Sequence, residues 1–201
     1  MRTPQIIQQL FSSLVWRLPT DEKVLYLTFD DGPIPIITPW VLEQLATYNA
    51  KATFFCVGGN VRKHADVYRE LLLQGHRVGN HTEHHMNGWM VYNREYFKDV
   101  FQCGRIVKSN LFRPPYGKIR PTQIARLRKE FRIIMWDVLS KDYDPSVSGE
   151  ECFQRVLRNA KAGSIIVFHD SVKAEERLRY ALPKVLAHFF EQGYRFEVIP
   201  C

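Results

Sequence analysis

With 201 residues, 45% of them hydrophobic and 13% aromatic, the chain can close one well-cored domain and is too apolar to be disordered. No apolar run approaches the roughly eighteen residues of a membrane span. The net charge of +7 favours anionic surroundings, yet no nucleic-acid motif accompanies it, so no nucleic-acid partner is expected.

The first residues are broken by Gln5, Gln8 and Gln9, which leaves no solid apolar core for a secretory signal. A cytoplasmic protein is therefore expected, with the inner membrane face as the alternative location. Ile6, Ile7, Leu10, Phe11, Leu14 and Val15 recur at helical spacing and predict an amphipathic helix within residues 1–20. Its apolar face is expected to pack on the domain formed by residues 21–201. Peripheral membrane contact is the lesser reading, since only Arg2 and Arg17 flank the helix. Cys56, Cys103, Cys152 and Cys201 stand singly without a CxxC pair, which fits buried or free thiols rather than a zinc ribbon or a disulfide framework.

Val24-Leu25-Tyr26-Leu27 reads as a first strand, stopped by Thr28-Phe29-Asp30-Asp31-Gly32-Pro33. Side chains alternate in a strand, so Asp30 and Asp31 can share one site only where the chain turns, and Gly32-Pro33 supplies that turn. Thr38-Pro39 predicts a helix N-cap, followed by the stripe Val41, Leu42, Leu45 and Tyr48. A second strand follows at Ala52–Val57, closed by Gly58-Gly59. A helix is expected from about Lys63 to Gly75, and a short strand through His76–Gly79. The remaining expectations are a helix from Asn93 to about Val107, a strand at Leu111–Arg113 and a helix from Pro121. After them come a strand at Arg132–Trp136, a helix from Gly149 to about Ala162, a strand at Gly163–Phe168 and a helix through Pro183 to Gly193. A last strand covers Tyr194–Ile199. Seven strands alternating with helices imply parallel pairing, and suit a nearly closed barrel better than an open sheet.

Asp30-Asp31, His81, Arg113, Asp137 and His169-Asp170 all fall at or just past predicted strand ends. In a parallel barrel those ends share one face. His81 and His85, four residues apart, have a spacing that suits one metal ion. Two imidazoles plus a carboxylate, with positions left open, is the pattern of catalytic zinc or a similar divalent ion. Alone, Asp-Asp-Gly is more often a turn and His81-Thr82-Glu83-His84-His85 is as often a His-rich surface turn. Their joint phase with the strands argues for a site.

Thr28–Pro33, His81–His85, Arg113-Pro114-Pro115-Tyr116, Trp136–Tyr143 and Ile166–His169 together resemble, in order and from Val24 onward, the successive motifs of the polysaccharide deacetylase (NodB-type) family. The resemblance implies a single-domain α/β protein with a distorted (β/α) barrel. It implies hydrolysis of N-acetyl groups on an acetylated amino-sugar glycan, oligosaccharide or precursor, by a monomer. It assigns Asp31, His81 and His85 to one divalent ion, zinc first with cobalt or nickel as alternatives. Asp30 would be the general base and His169 the general acid, Arg113 would orient Asp30, and the Tyr116 N–H would hold the oxyanion. Pro115, Tyr116, Trp136, Asp142, Tyr143 and Ile166 would line the substrate groove, and Thr82 would steady the metal loop or bind an anion. The family's fourth motif, Asp-x-x-Asp-Trp, here reads Leu139-Ser140-Lys141-Asp142-Tyr143. Its first Asp, which in the family tunes the acid His, is replaced by Leu139, leaving Asp137 or Asp142 to act in its place. O-deacetylation, hydrolysis of a small amide, and a non-catalytic carbohydrate-binding relic are the competing readings.

Overall fold

A computed structural model describes residues 4–200 of the chain; Arg2 and Cys201 lie outside the described residues. In chain order the helices are α1 (Gln5–Leu10), α2 (Ile37–Thr47), α3 (Gly58–Lys63), α4 (Ala65–Leu73), α5 (Asn93–Gly104), α6 (Pro121–Leu127), α7 (Gly149–Asn159) and α8 (Glu175–Glu191). The strands are β1 (Val24–Asp30), β2 (Thr53–Cys56), β3 (Arg77–Asn80), β4 (Leu111–Phe112), β5 (Arg132–Ile133), β6 (Val138–Leu139), β7 (Ile165–His169) and β8 (Arg195–Phe196). Seven pair in the order β5-β4-β3-β2-β1-β7-β6, every neighbour parallel, and β8 pairs with the beginning of β1. The curled sheet with alternating helices is a distorted (β/α) barrel in one domain, as expected from the alternation.

β1 is an interior strand, flanked by β2 and β7 and buried along almost its whole length. Leu25, Leu27 and Phe29 face the main core with Phe54, Ile166, Phe168 and the apolar stripe of α8, while the alternate residues Thr28 and Asp30 point to the other face. Phe29 stacks on Phe54 at 4.9 Å, and Phe168 closes the row at 6.2 Å. Cys56, Cys103 and Cys152 are buried free thiols.

Four differences from the sequence expectations have physical causes. The N-terminal helix stops at Leu10, and Ile6 and Leu10 remain 66% and 73% exposed; Leu14 and Trp16, beyond it, enter a core cluster, and Val15 and Leu18 pack against another. Val15 instead lies as an extended bridge beside Ile134, accepting from Met135 N. That bridge, with the Arg113 guanidinium donating to the Ile134 and Met135 carbonyls, occupies the backbone groups that would have prolonged β5 to Trp136. A short separate strand, β6, resumes at Val138, so the described strands number eight rather than seven. Gly58-Gly59 opens α3 rather than only closing β2, since their N–H groups donate to the Thr82 and Glu83 carbonyls. Thr38 lies inside α2 rather than capping it, its hydroxyl donating to Asp170.

Candidate active site

β1 delivers Asp30 with its side chain on the barrel face, and the next residue breaks the strand. Asp31 adopts φ +86°, a left-handed conformation uncommon for a residue with a Cβ, and so both carboxylates reach one cleft. The turn is held from several sides. Asn60 Nδ2 donates to the Asp31 carbonyl, Val57 N to the Gly32 carbonyl, and Gly32 N to Asp170 Oδ1.

The two acids have different partners. Asp30 is 4% exposed and accepts from Arg113 Nη1 at 2.7 Å. Arg113 is fully buried beneath it; Nη1 also donates to Thr28 Oγ1, Nη2 to the Met135 carbonyl and Nε to the Ile134 carbonyl, over the Phe55 ring. Every polar edge of that guanidinium is engaged, so it fixes Asp30 rather than approaching substrate. Asp31 faces imidazoles instead, with His85 Nε2 at 3.1 Å and His81 Nε2 at 3.8 Å from Oδ1. Yet the buried Oδ1 receives no well-directed hydrogen bond. Burial pushes the Asp31 carboxyl up, but the nearness of His85 and then the charges of His169 and His81 hold it well below the usual carboxylate range.

His81 extends from β3, and its Nδ1 lies 2.8 Å from the Arg113 carbonyl. That carbonyl can only accept, so Nδ1 carries the proton and Nε2 presents its lone pair to the cleft. Burial drives His81 down to about 4, against the pull of Asp30 and Asp31, which leaves a neutral ring at neutral pH. The loop between the histidines is tied by Thr82, which donates N–H to Asn80 Oδ1 and accepts from Met86 N. Asp99 takes the Glu83 and His84 N–H groups from the other side.

The donors of Asp31, His81 and His85 lie within 4.8 Å of one another. Zinc bonds of about 2.0–2.1 Å in tetrahedral array separate ligand atoms by roughly 3.3 Å. The 3.1 and 3.8 Å separations bracket that value, and an unpartnered carboxylate oxygen beside two imidazole nitrogens is the donor set such an ion takes. The residues present fit one divalent ion.

His169 ends β7, in register with Asp30 on β1. Its Nδ1 is 2.8 Å from Asp142 Oδ1, and its backbone N donates to Asp142 Oδ2. Asp142 is wholly buried, held also by Ser140 Oγ and tied through its carbonyl to Arg177. Burial alone would lower His169, but the Asp142 charge and hydrogen bond, then Asp31 and Asp30, push it up to about 9. Of the two acids left open by Leu139, Asp142 is thus the one beside His169. Asp137 binds Ser164 Oγ and Ile165 N instead.

The cleft is lined by Asp30, Asp31, His81, His85 and His169 on its floor. Tyr116, Trp136 and Tyr143 form aromatic walls; the Tyr116 ring lies 4.7 Å from His85, and the Tyr143 ring 4.9 Å from His169. Tyr116 sits at φ +60° in the turn after β4, and its N–H has no acceptor among the described residues. Three expected groove residues lie elsewhere. Asp142 is behind His169, Pro115 is buried under the Tyr116 turn, and Ile166 is in the main core. Alternation along β7 explains Ile166: His169 and Val167 share the cleft face, so Ile166, one residue before Val167, belongs with Phe168 to the opposite one. Val167 was recoverable by that count. Leu139 and Lys173 also line the cleft; Lys173, whose Nζ lies 5.6 Å from the Tyr143 ring, carries no signal in its sequence neighbourhood.

Residues 17–131 match the family model described as polysaccharide deacetylase. A peptidoglycan-N-acetylglucosamine deacetylase of Bacillus cereus is 32% identical over 194 residues, covering 92% of this chain and 91% of that protein. A chitooligosaccharide deacetylase of Azorhizobium caulinodans is 32% identical over 210 residues, covering 92% and 96%. The crystal structure of the Bc1960 peptidoglycan N-acetylglucosamine deacetylase superposes with a TM-score of 0.90 at 30% identity, over 98% of this chain and 95% of that one.

Proposed function

This chain belongs to the polysaccharide deacetylase family, and we propose that it hydrolyses the N-acetyl group of an amino-sugar glycan, using one divalent ion bound by Asp31, His81 and His85. The observation that carries the reading is the division of labour between two adjacent carboxylates. Asp30 is neutralised by a buried arginine, while Asp31 faces two imidazoles with an oxygen left unpartnered.

A divalent ion in that position supplies Lewis-acid polarisation of the acetyl carbonyl and acidifies water. The chain supplies the proton transfers. Asp30 accepts the proton of the attacking water, and Arg113 holds the carboxylate in line while it does so. The Tyr116 N–H is available to the oxygen on which negative charge develops. His169, protonated on the nitrogen facing the cleft, gives that proton to the departing sugar amine as the C–N bond breaks. Water adds to the acyl carbon and the products are acetate and the free amine. Asp142 keeps the His169 tautomer and its charge. Tyr116, Trp136 and Tyr143 offer faces for a sugar ring, and Leu139 with Val167 an apolar surface for the acetyl methyl. Peptidoglycan and chitooligosaccharide are the substrate classes that the relatives suggest.

The test is acetate release from chitooligosaccharides and from peptidoglycan by protein stripped with chelator and reloaded with zinc, cobalt or nickel. Release that requires the reloaded ion is expected. Release indifferent to chelation refutes the metal role, and no release from either acetylated substrate class in the loaded state refutes the deacetylase reading.

A further inference from the structure

The residue after His169 carries a job that the proposed chemistry does not use. Asp170 is fully buried, at the end of β7, and touches neither the cleft nor solvent. Its backbone N donates to the Asp30 carbonyl, its Oδ1 accepts from Gly32 N at 3.0 Å, and its Oδ2 accepts from Thr38 Oγ1 at 2.6 Å. Thr38 is itself fully buried and accepts from Ile34 N, so the contact closes the whole loop from Asp31 to the first turn of α2. The packing leaves no slack. A Cβ on Gly32 would stand 1.9 Å from Asp170 Oδ2, so the carboxylate lies directly against the backbone that follows Asp31.

Asp31 needs such support. Its φ of +86° is disfavoured for a residue with a side chain, and only neighbouring bonds can hold it there. The Asp170 carboxylate is the side chain that binds the next peptide N–H. We propose that Asp170 is a positioning residue, which holds the Asp31 turn in the conformation that aims this carboxylate at the metal site. The inference rests on the metal reading above, and it predicts that ion affinity depends on a residue that never meets the ion.

Zinc affinity of stripped, folded protein, measured by competition with a chromophoric chelator, tests it alongside apo-protein melting. Asp170→Ala removes both acceptors and is expected to weaken zinc binding about tenfold or more, within the range found for groups supporting metal ligands. Asp170→Asn keeps an oxygen for Gly32 N and an amide that the Thr38 hydroxyl can accept from, so it is expected to restore affinity close to wild type. Wild-type zinc affinity in Asp170→Ala, however far its melting temperature falls, overturns the proposal, as does equal weakening in both variants. Should Asp170→Ala not fold, Thr38→Val is read in its place. That variant frees one side of the carboxylate and is expected to weaken zinc several-fold, and unchanged affinity overturns the proposal. Wild-type protein that takes up no zinc, cobalt or nickel refutes the metal reading itself, and this inference with it.

Discussion

Asp142→Asn should convert a pH-tolerant acid into a pH-sensitive one. His169 stands at about 9 because the Asp142 charge and hydrogen bond, helped by Asp31 and Asp30, outweigh the burial that would otherwise lower it. Burial is the largest single influence, so with Asp142 neutral the imidazole should fall toward its ordinary value of 6.5. At pH 8 a group at about 9 is protonated in a ratio of about 10:1, whereas one at about 6.5 is protonated in about 3% of molecules. The variant should therefore lose up to about thirtyfold in kcat at pH 8 through protonation alone, and almost nothing from that cause near pH 5.5. A bound divalent ion lowers both values together, so the separation between the two alkaline limbs is the quantity to read. The assay is kcat against pH on a chitooligosaccharide, with an NMR titration of the His169 ring in metal-free protein as the direct check. Superimposed alkaline limbs, or a loss of the same size at pH 5.5 and pH 8, would refute the reasoning. In the metal-free protein the raised value also stabilises the fold. That contribution is fully present below about pH 6.5 and is lost as pH rises through about 9.

The remaining expectations concern the acids, the buried arginine and the core. Asp30→Asn should keep its metal and lose about 10²–10⁴ in kcat, while Asp31→Asn should lose metal affinity; metal content and turnover of both decide, and an Asp30→Asn protein without metal would reverse the assignment. Arg113→Met should cost about 3–5 kcal/mol of stability in urea unfolding, because Asp30 then stays buried without its counter-charge; a loss below about 1 kcal/mol would show that Asp30 finds another partner. Phe29→Ala, removing the ring stacked between Phe54 and Phe168, should cost about 3–5 kcal/mol, read by the same unfolding experiment.

Much of this protein is legible residue by residue. Apolar runs bounded by Gly or Pro (Gly32-Pro33 after β1, Gly58-Gly59 after β2, Gly163 before β7) give those three strands, and helical stripes give α2, α5 and α8, because those signals are local. The position of Asp30, Asp31, His81, Arg113 and His169 at strand ends follows from the same runs, and parallel pairing is enough to bring those ends to one face. What the sequence leaves open are choices made by groups distant along the chain. Asp137 and Asp142 are equally plausible partners for His169 in one dimension. The pairing of β6 with β7 separates them, sending one to Ser164 and the other to the imidazole. The end of β5 depends on Val15 and Arg113 taking backbone groups more than twenty residues away. The turn that carries Asp31 into the cleft is closed by Asn60, Val57 and Asp170, the last well over a hundred residues on. Composition and periodicity count neighbours along the chain, whereas a hydrogen bond is decided by which donor and acceptor meet in space, and that meeting belongs to the folded sheet.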